Sequence, residues 1–100
     1  MKKYRYENDY KTDLCRKLKK IFPGSFVVHL DPNEIQGIPD ILILYGNKWA
    51  TLEGKINASA SYRPNQEYYI DIMNKMSFSS VIYPEIEDEV IDALDLYFAN

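Results

Sequence analysis

Residues 37–55 read Gly37-Ile-Pro-Asp-Ile-Leu-Ile-Leu-Tyr-Gly-Asn-Lys-Trp-Ala-Thr-Leu-Glu-Gly-Lys55. Two runs rich in apolar and β-branched residues flank Gly46-Asn47, a dipeptide suited to a two-residue hairpin turn. If Tyr45 pairs with Lys48, then Leu44 faces Trp49, Leu42 faces Thr51 and Asp40 faces Glu53. Cross-strand partners share a side of the sheet, as do residues two apart on one strand. Asp40, Glu53 and Lys55 are therefore expected on one face, at the open end of the hairpin.

Two carboxylates placed opposite each other repel. A divalent cation between them turns that liability into a binding site, and oxygen donors of this kind suit Mg²⁺ or Mn²⁺. The plain alternative is a surface hairpin carrying solvated charges. The rest of the chain has to decide between the two.

The chain of 100 residues, 46% of them hydrophobic, is the size of a single domain spanning 1–100 with one modest core. Cys15 is the only cysteine, so no internal disulfide is possible, and a reducing, cytoplasmic setting is expected. His29 is the only histidine, and without Cys or His neighbours a zinc site is not expected. No apolar run reaches the ~20 residues of a membrane span, and Met1-Lys2-Lys3 does not lead into a signal-peptide core.

Net charge is −3, but its distribution matters more than its sum. Residues 1–20 carry eight Lys or Arg against three acids, whereas residues 84–100 carry six acids and no base. One end of the molecule is thus suited to a polyanion and the other repels it. The plain alternative for Lys17, Lys19 and Lys20 is a solvated helix face.

Tyr10, Leu14, Leu18 and Ile21 recur at helical spacing, predicting a helix from about Tyr4 to Phe22 that Pro23-Gly24 ends. Glu7 lies on the same stripe, where a carboxylate is costly to bury unless paired or metal-bound. It also suits the first turn of a helix on dipole grounds alone. Ser25–Leu30 reads as a strand, and 31–36 as a loop beside the hairpin's open end. Pro64 is expected to open a second helix with the stripe Gln66, Tyr69, Ile70, Met73 and Met76. Phe78–Tyr83 reads as a fourth strand. Pro84 is expected to open a last helix with the stripe Ile86, Val90, Leu94 and Tyr97.

Pro39-Asp40, twelve intervening residues and Glu53-Gly54-Lys55 resemble the PD-(D/E)XK nuclease motif. Gly37-Ile38-Pro39-Asp40 before an apolar strand is most similar to the VRR-NUC and Holliday-junction-resolvase-like branch, which is common in phages. The order helix, three strands, helix, strand also matches that superfamily. The resemblance implies an α/β fold: an αβββαβ restriction-endonuclease-like core with a mixed sheet flanked by helices, here followed by a C-terminal helix. It implies metal ligation by Glu7, Asp40, Glu53 and the carbonyl of Gly54, with Lys55 as the family lysine. Gln66, three residues before Tyr69, is similar to the Gln-x-x-Tyr element of RecB-like members and would join the catalytic residues. Glycine between Glu53 and Lys55 departs from the pattern, where an apolar or β-branched residue is usual. The loop after Lys55 also lacks the usual glycine-rich, basic character.

The expected activity is Mg²⁺- or Mn²⁺-dependent hydrolysis of DNA phosphodiester bonds, structure-selective and leaving a 5′-phosphate. The candidates for contacting DNA are Lys2, Lys3, Arg5, Lys11, Lys48, Arg63 and Lys75. A homodimer or higher homo-oligomer is expected, because one small protomer offers little surface. The competing readings are a site-specific, homing-type endonuclease of the same fold, and a catalytically inactive DNA- or protein-binding module.

Overall fold

The computed structural model describes residues 3–100. Its elements are α1 (Glu7–Ile21), β1 (Phe26–His29), β2 (Ile41–Tyr45), β3 (Lys48–Gly54), α2 (Gln66–Met76) and β4 (Phe78–Ile82). A single 3-10 turn, Pro84–Ile86, then leads into α3 (Glu87–Ala99). The strands form one sheet in the order β1-β2-β3-β4, antiparallel across the first two pairings and parallel between β3 and β4. The fold is thus α/β, a four-stranded mixed open sheet flanked by helices and closed by a C-terminal helix. Among the described residues no helix is long and apolar enough to cross a membrane.

The hairpin pairs as its turn dictates. Gly46 takes φ +62°, the left-handed region a first turn residue needs, and Tyr45 meets Lys48. The ladder then runs Leu44↔Trp49, Leu42↔Thr51 and Ile41↔Leu52.

Alternation along these strands sorts the side chains into two layers. Ile41, Ile43, Ala50, Leu52 and Ile82 are fully buried and join Tyr10, Leu14 and Leu18 of α1 and Val90, Ile91 and Leu94 of α3 in one core. Burying each large aliphatic side chain there contributes about 1.5–3 kcal/mol. On the other face, Thr51 Oγ1 donates to Ser79 Oγ of β4 (2.8 Å) and lies 3.5 Å from Met73 Sδ of α2. Beyond α2 that face lies open: the paired residues Phe26 and Leu44 are 70% and 42% exposed, and Val28 next to them is 42% exposed.

Four details differ from the sequence reading. Helix α1 stops at Ile21, so Phe22 turns inward to the core and Ile21 is left 40% exposed. Pro64 does not open α2; Asn65 intervenes with φ +71° and Gln66 is the first helical residue. Met76 is 69% exposed, because α2 ends at it and Ser77 turns the chain directly into β4. Similarly, Pro84 opens the 3-10 turn and α3 begins only at Glu87.

Candidate functional site

The antiparallel ladder ends at Ile41↔Leu52, and one further step in the same register sets Asp40 beside Glu53. Asp40 is pinned from two sides: its carbonyl accepts from Leu30 N (2.8 Å) and its Oδ1 from Gly54 N (3.3 Å). Here the end of β3, the first half of α1, the loop before β2 and the start of α2 enclose a cavity of about 520 Å³. Glu7, Lys11, Asp40, Glu53, Lys55 and Gln66 all line it. Glu7 and Gln66 come from helices on opposite faces of the sheet, so they meet at the ends of the strands and not on one face.

Glu53 is 2% exposed. Its Oε2 lies 3.7 Å from Lys55 Nζ, and its Oε1 has no hydrogen-bond partner among the described residues. Burial, and next the charge of Asp40, push its carboxyl up to about 7, against the opposing pull of Lys11 and Lys55. A buried carboxylate oxygen without a donor is costly, and such groups concentrate at functional sites.

Lys55 is 4% exposed and tightly held. Its backbone N–H continues the β3–β4 pairing by donating to Ile82 O (2.8 Å). Its ammonium donates to Gln66 Oε1 (2.9 Å) and Ser61 O (3.1 Å) and lies 5.1 Å from the centre of the Tyr62 ring. Gln66 Oε1 also accepts from Arg63 N (2.7 Å), so the first residue of α2 ties the preceding loop to the buried lysine.

Lys11 reaches across from α1. Its ammonium pairs with Asp40 Oδ2 and lies 3.3 Å from Glu7 Oε2. Burial lowers its pKa, but the bond to Asp40 and the charges of Asp40, Glu7 and Glu53 outweigh that and leave it raised. The other Glu7 oxygen accepts from Ile56 N (3.2 Å). Among the described residues no three His, Cys, Asp or Glu side chains come together as a metal-binding group. Asp40 and Glu53, whose Oε1 has no partner among the described residues, both line the cavity, and their hard oxygen donors fit Mg²⁺ or Mn²⁺.

The basic candidates are scattered. Arg63 lines the cavity. Lys3 and Arg5 line a neighbouring hollow that shares Thr12 with it, and the Arg5 guanidinium lies 5.4 Å from the Tyr6 ring centre. Lys48 sits at the turn, the far end of the hairpin, donating to Tyr97 O (2.7 Å). Lys75 pairs with Asp71 (3.2 Å) on the exposed side of α2. Lys2 lies outside the described residues.

Sequence reasoning did not find the hold of Ser61 and Tyr62 on Lys55, nor the seat of Lys11. For Lys11 a signal existed, since Glu7 and Lys11 stand at the i,i+4 spacing that brings an acid and a base together. His29 lines the cavity rim with its Nε2 3.6 Å from Cys15 Sγ, a thiol whose pKa burial raises. No family model, curated protein or solved structure matches this chain.

Proposed function

We propose that this chain is a metal-dependent nuclease of the PD-(D/E)XK type, hydrolysing DNA phosphodiester bonds at the cavity between α1 and α2. The observation that carries the reading is Glu53: a buried carboxylate with one oxygen unpartnered, beside Asp40 and 3.7 Å from a buried lysine. A fold does not keep such a group for stability, because breaking up like charges at a buried site stabilises it.

Asp40 and Glu53 would hold the cation, with Glu7 and the Gly54 carbonyl as the further donors the family resemblance implies. Bound there, Mg²⁺ or Mn²⁺ supplies Lewis-acid polarisation of the phosphate and activation of water. Lys55 is the residue that orients the attacking water and offsets charge growing on the phosphate. Gln66 and the Ser61 carbonyl fix its ammonium, so the lysine arrives pre-oriented and loses little freedom when substrate binds. Arg63, which lines the cavity, would meet a phosphate oxygen there, with Lys3 and Arg5 of the neighbouring hollow as further contacts.

The substrate is read as branched or junction DNA cut by a homodimer, the product carrying a 5′-phosphate. The uncovered sheet face around Phe26 and Leu44 supports self-association, since apolar patches on isolated protomers mark contact surfaces.

A second reading, a DNA-binding module that does not cut, is favoured by one observation: Lys11 already occupies Asp40. Incubation with Mg²⁺ or Mn²⁺ on duplex, single-stranded, forked and four-way DNA separates the two. Cleavage by the native chain and none by Asp40→Ala or Glu53→Ala is expected, with circular dichroism showing both variants folded. Metal-dependent cleavage that persists in both variants overturns the assignment. Binding of DNA without cutting by the native chain establishes the second reading.

A further inference from the structure

We propose that Lys11 is an internal counter-ion seated on oxygens a divalent cation would take, and that Gly54 is the residue that admits it. The inference rests on the metal-centre reading above.

Lys11 leaves α1 one turn after Glu7. Its ammonium bridges Glu7 Oε2 and Asp40 Oδ2, and the Lys11 and Asp40 side chains are only 16% and 18% exposed. To get there its stem crosses β3 directly over Gly54. A Cβ at position 54 would stand 2.9 Å from Lys11 Cγ and 3.4 Å from its Cε, closer than side chains pack. Ala50 and Leu52 fill the preceding places on this face of β3, so the series of side chains breaks where the lysine passes. Gly54 lies at the end of β3 outside the left-handed region, so backbone conformation does not call for glycine there. Among the described residues, the atoms nearest to a Cβ at this position all belong to the Lys11 stem.

The consequence is a set of acids partly neutralised by the chain itself. Glu7 is held to Lys11 by one oxygen and to Ile56 N by the other, while Glu53 Oε1 has no donor among the described residues. A divalent cation on Asp40 Oδ2 would repel the ammonium held on the same oxygen, so loading the cation is expected to displace Lys11. Metal occupancy and the position of Lys11 are therefore two states of one site. Displacement frees a positive charge beside the cavity at the moment the metal is loaded.

Mn²⁺ titrated into the full chain, with the bound fraction read from loss of the free-ion electron paramagnetic resonance signal, tests this without any turnover. Lys11→Met is expected to bind Mn²⁺ at least about tenfold more tightly than the native chain, the loss of one charge-assisted contact in competition. Gly54→Ala keeps every charge but crowds the stem, and is expected to tighten binding by a smaller factor. Lys20→Met, the same charge change at an exposed place on the last turn of α1, is expected to leave affinity within about twofold, because solvent and salt screen it. Unchanged or weaker binding in Lys11→Met overturns the competition while native binding keeps the metal centre standing. Tightening of equal size in Lys20→Met overturns it as well, as a mere field effect. No Mn²⁺ binding in any of the proteins removes the metal centre and the competition together. If Lys11→Met does not fold, Gly54→Ala decides, and unchanged affinity there overturns the seating of Lys11.

Discussion

Glu53 concentrates the electrostatic cost of this fold in one side chain. Burial and then Asp40 raise its carboxyl from the usual 4.5 to about 7. The folded state therefore holds this proton over a pH range in which the unfolded chain has released it. Stability contributed at this site is present below about 4.5, falls as pH rises to about 7, and is flat above. Metal-free protein should show a melting temperature that declines across that window, and Glu53→Gln should remove the decline. At pH 8, in chelator, Glu53→Gln should melt higher by about 4–8 °C, the shift that ~1 kcal/mol gives a domain of this size. A melting temperature in Glu53→Gln equal to or below that of the native chain would show that Lys55 and Lys11 already compensate the charge. Asp40, Glu53 and Lys55 were legible as a group because strand alternation and one turn fix their side. The seat of Lys11 was not, since it depends on the missing Cβ of a residue 43 positions away in the chain.

At the scale of elements, the hairpin was readable because Gly46-Asn47 leaves a two-residue turn one register. The start of α2 was not. Pro64 announces a helix, but α2 begins only at Gln66, after a turn against which Gly37 packs. Gly37 takes φ +91°, and a Cβ there would lie 2.6 Å from Pro64 O and 2.7 Å from Asn65 atoms. The loop before Asp40 thus packs backbone against backbone on the turn into α2, and the helix waits until Gln66. That contact joins the aspartate's loop to the residue that holds Lys55. Gly37→Ala should cost about 2–3 kcal/mol, combining left-handed strain with the clash, and should lower the midpoint in urea denaturation. It should also slow cleavage through misplacement of Lys55. A variant with native midpoint and native rate would show that the two loops move independently. The exposure of Met76 was likewise hidden from periodicity, since the turn at Ser77 removes the neighbour that the stripe assumed.

For the whole molecule, the unresolved balance is between a closed core and an open sheet face. One face of the sheet is sealed by α1 and α3, and α2 covers only the β3–β4 half of the other. Phe26, Val28 and Leu44 remain on the uncovered half, next to the edge strand β1. The protomer measures 32 × 30 × 20 Å. At ~3.4 Å per base pair, 32 Å matches roughly nine base pairs, the length of one arm if the proposed branched DNA is the substrate. Two protomers meeting through this face would span two arms. Light scattering should give the mass of a dimer for the native chain and of a monomer for Phe26→Ser/Leu44→Ser, with both folded. A native chain that is monomeric at assay concentration contradicts the dimer while leaving the cavity chemistry untouched.

Whether Asp40 and Glu53 form a metal centre can be read without DNA, by calorimetric titration of Mn²⁺ into the native chain and into Glu53→Gln. Saturable binding by the native protein is expected, with an affinity at least about tenfold lower in Glu53→Gln, from loss of a charged donor oxygen. Identical isotherms for the two proteins, or no heat from either, would contradict it.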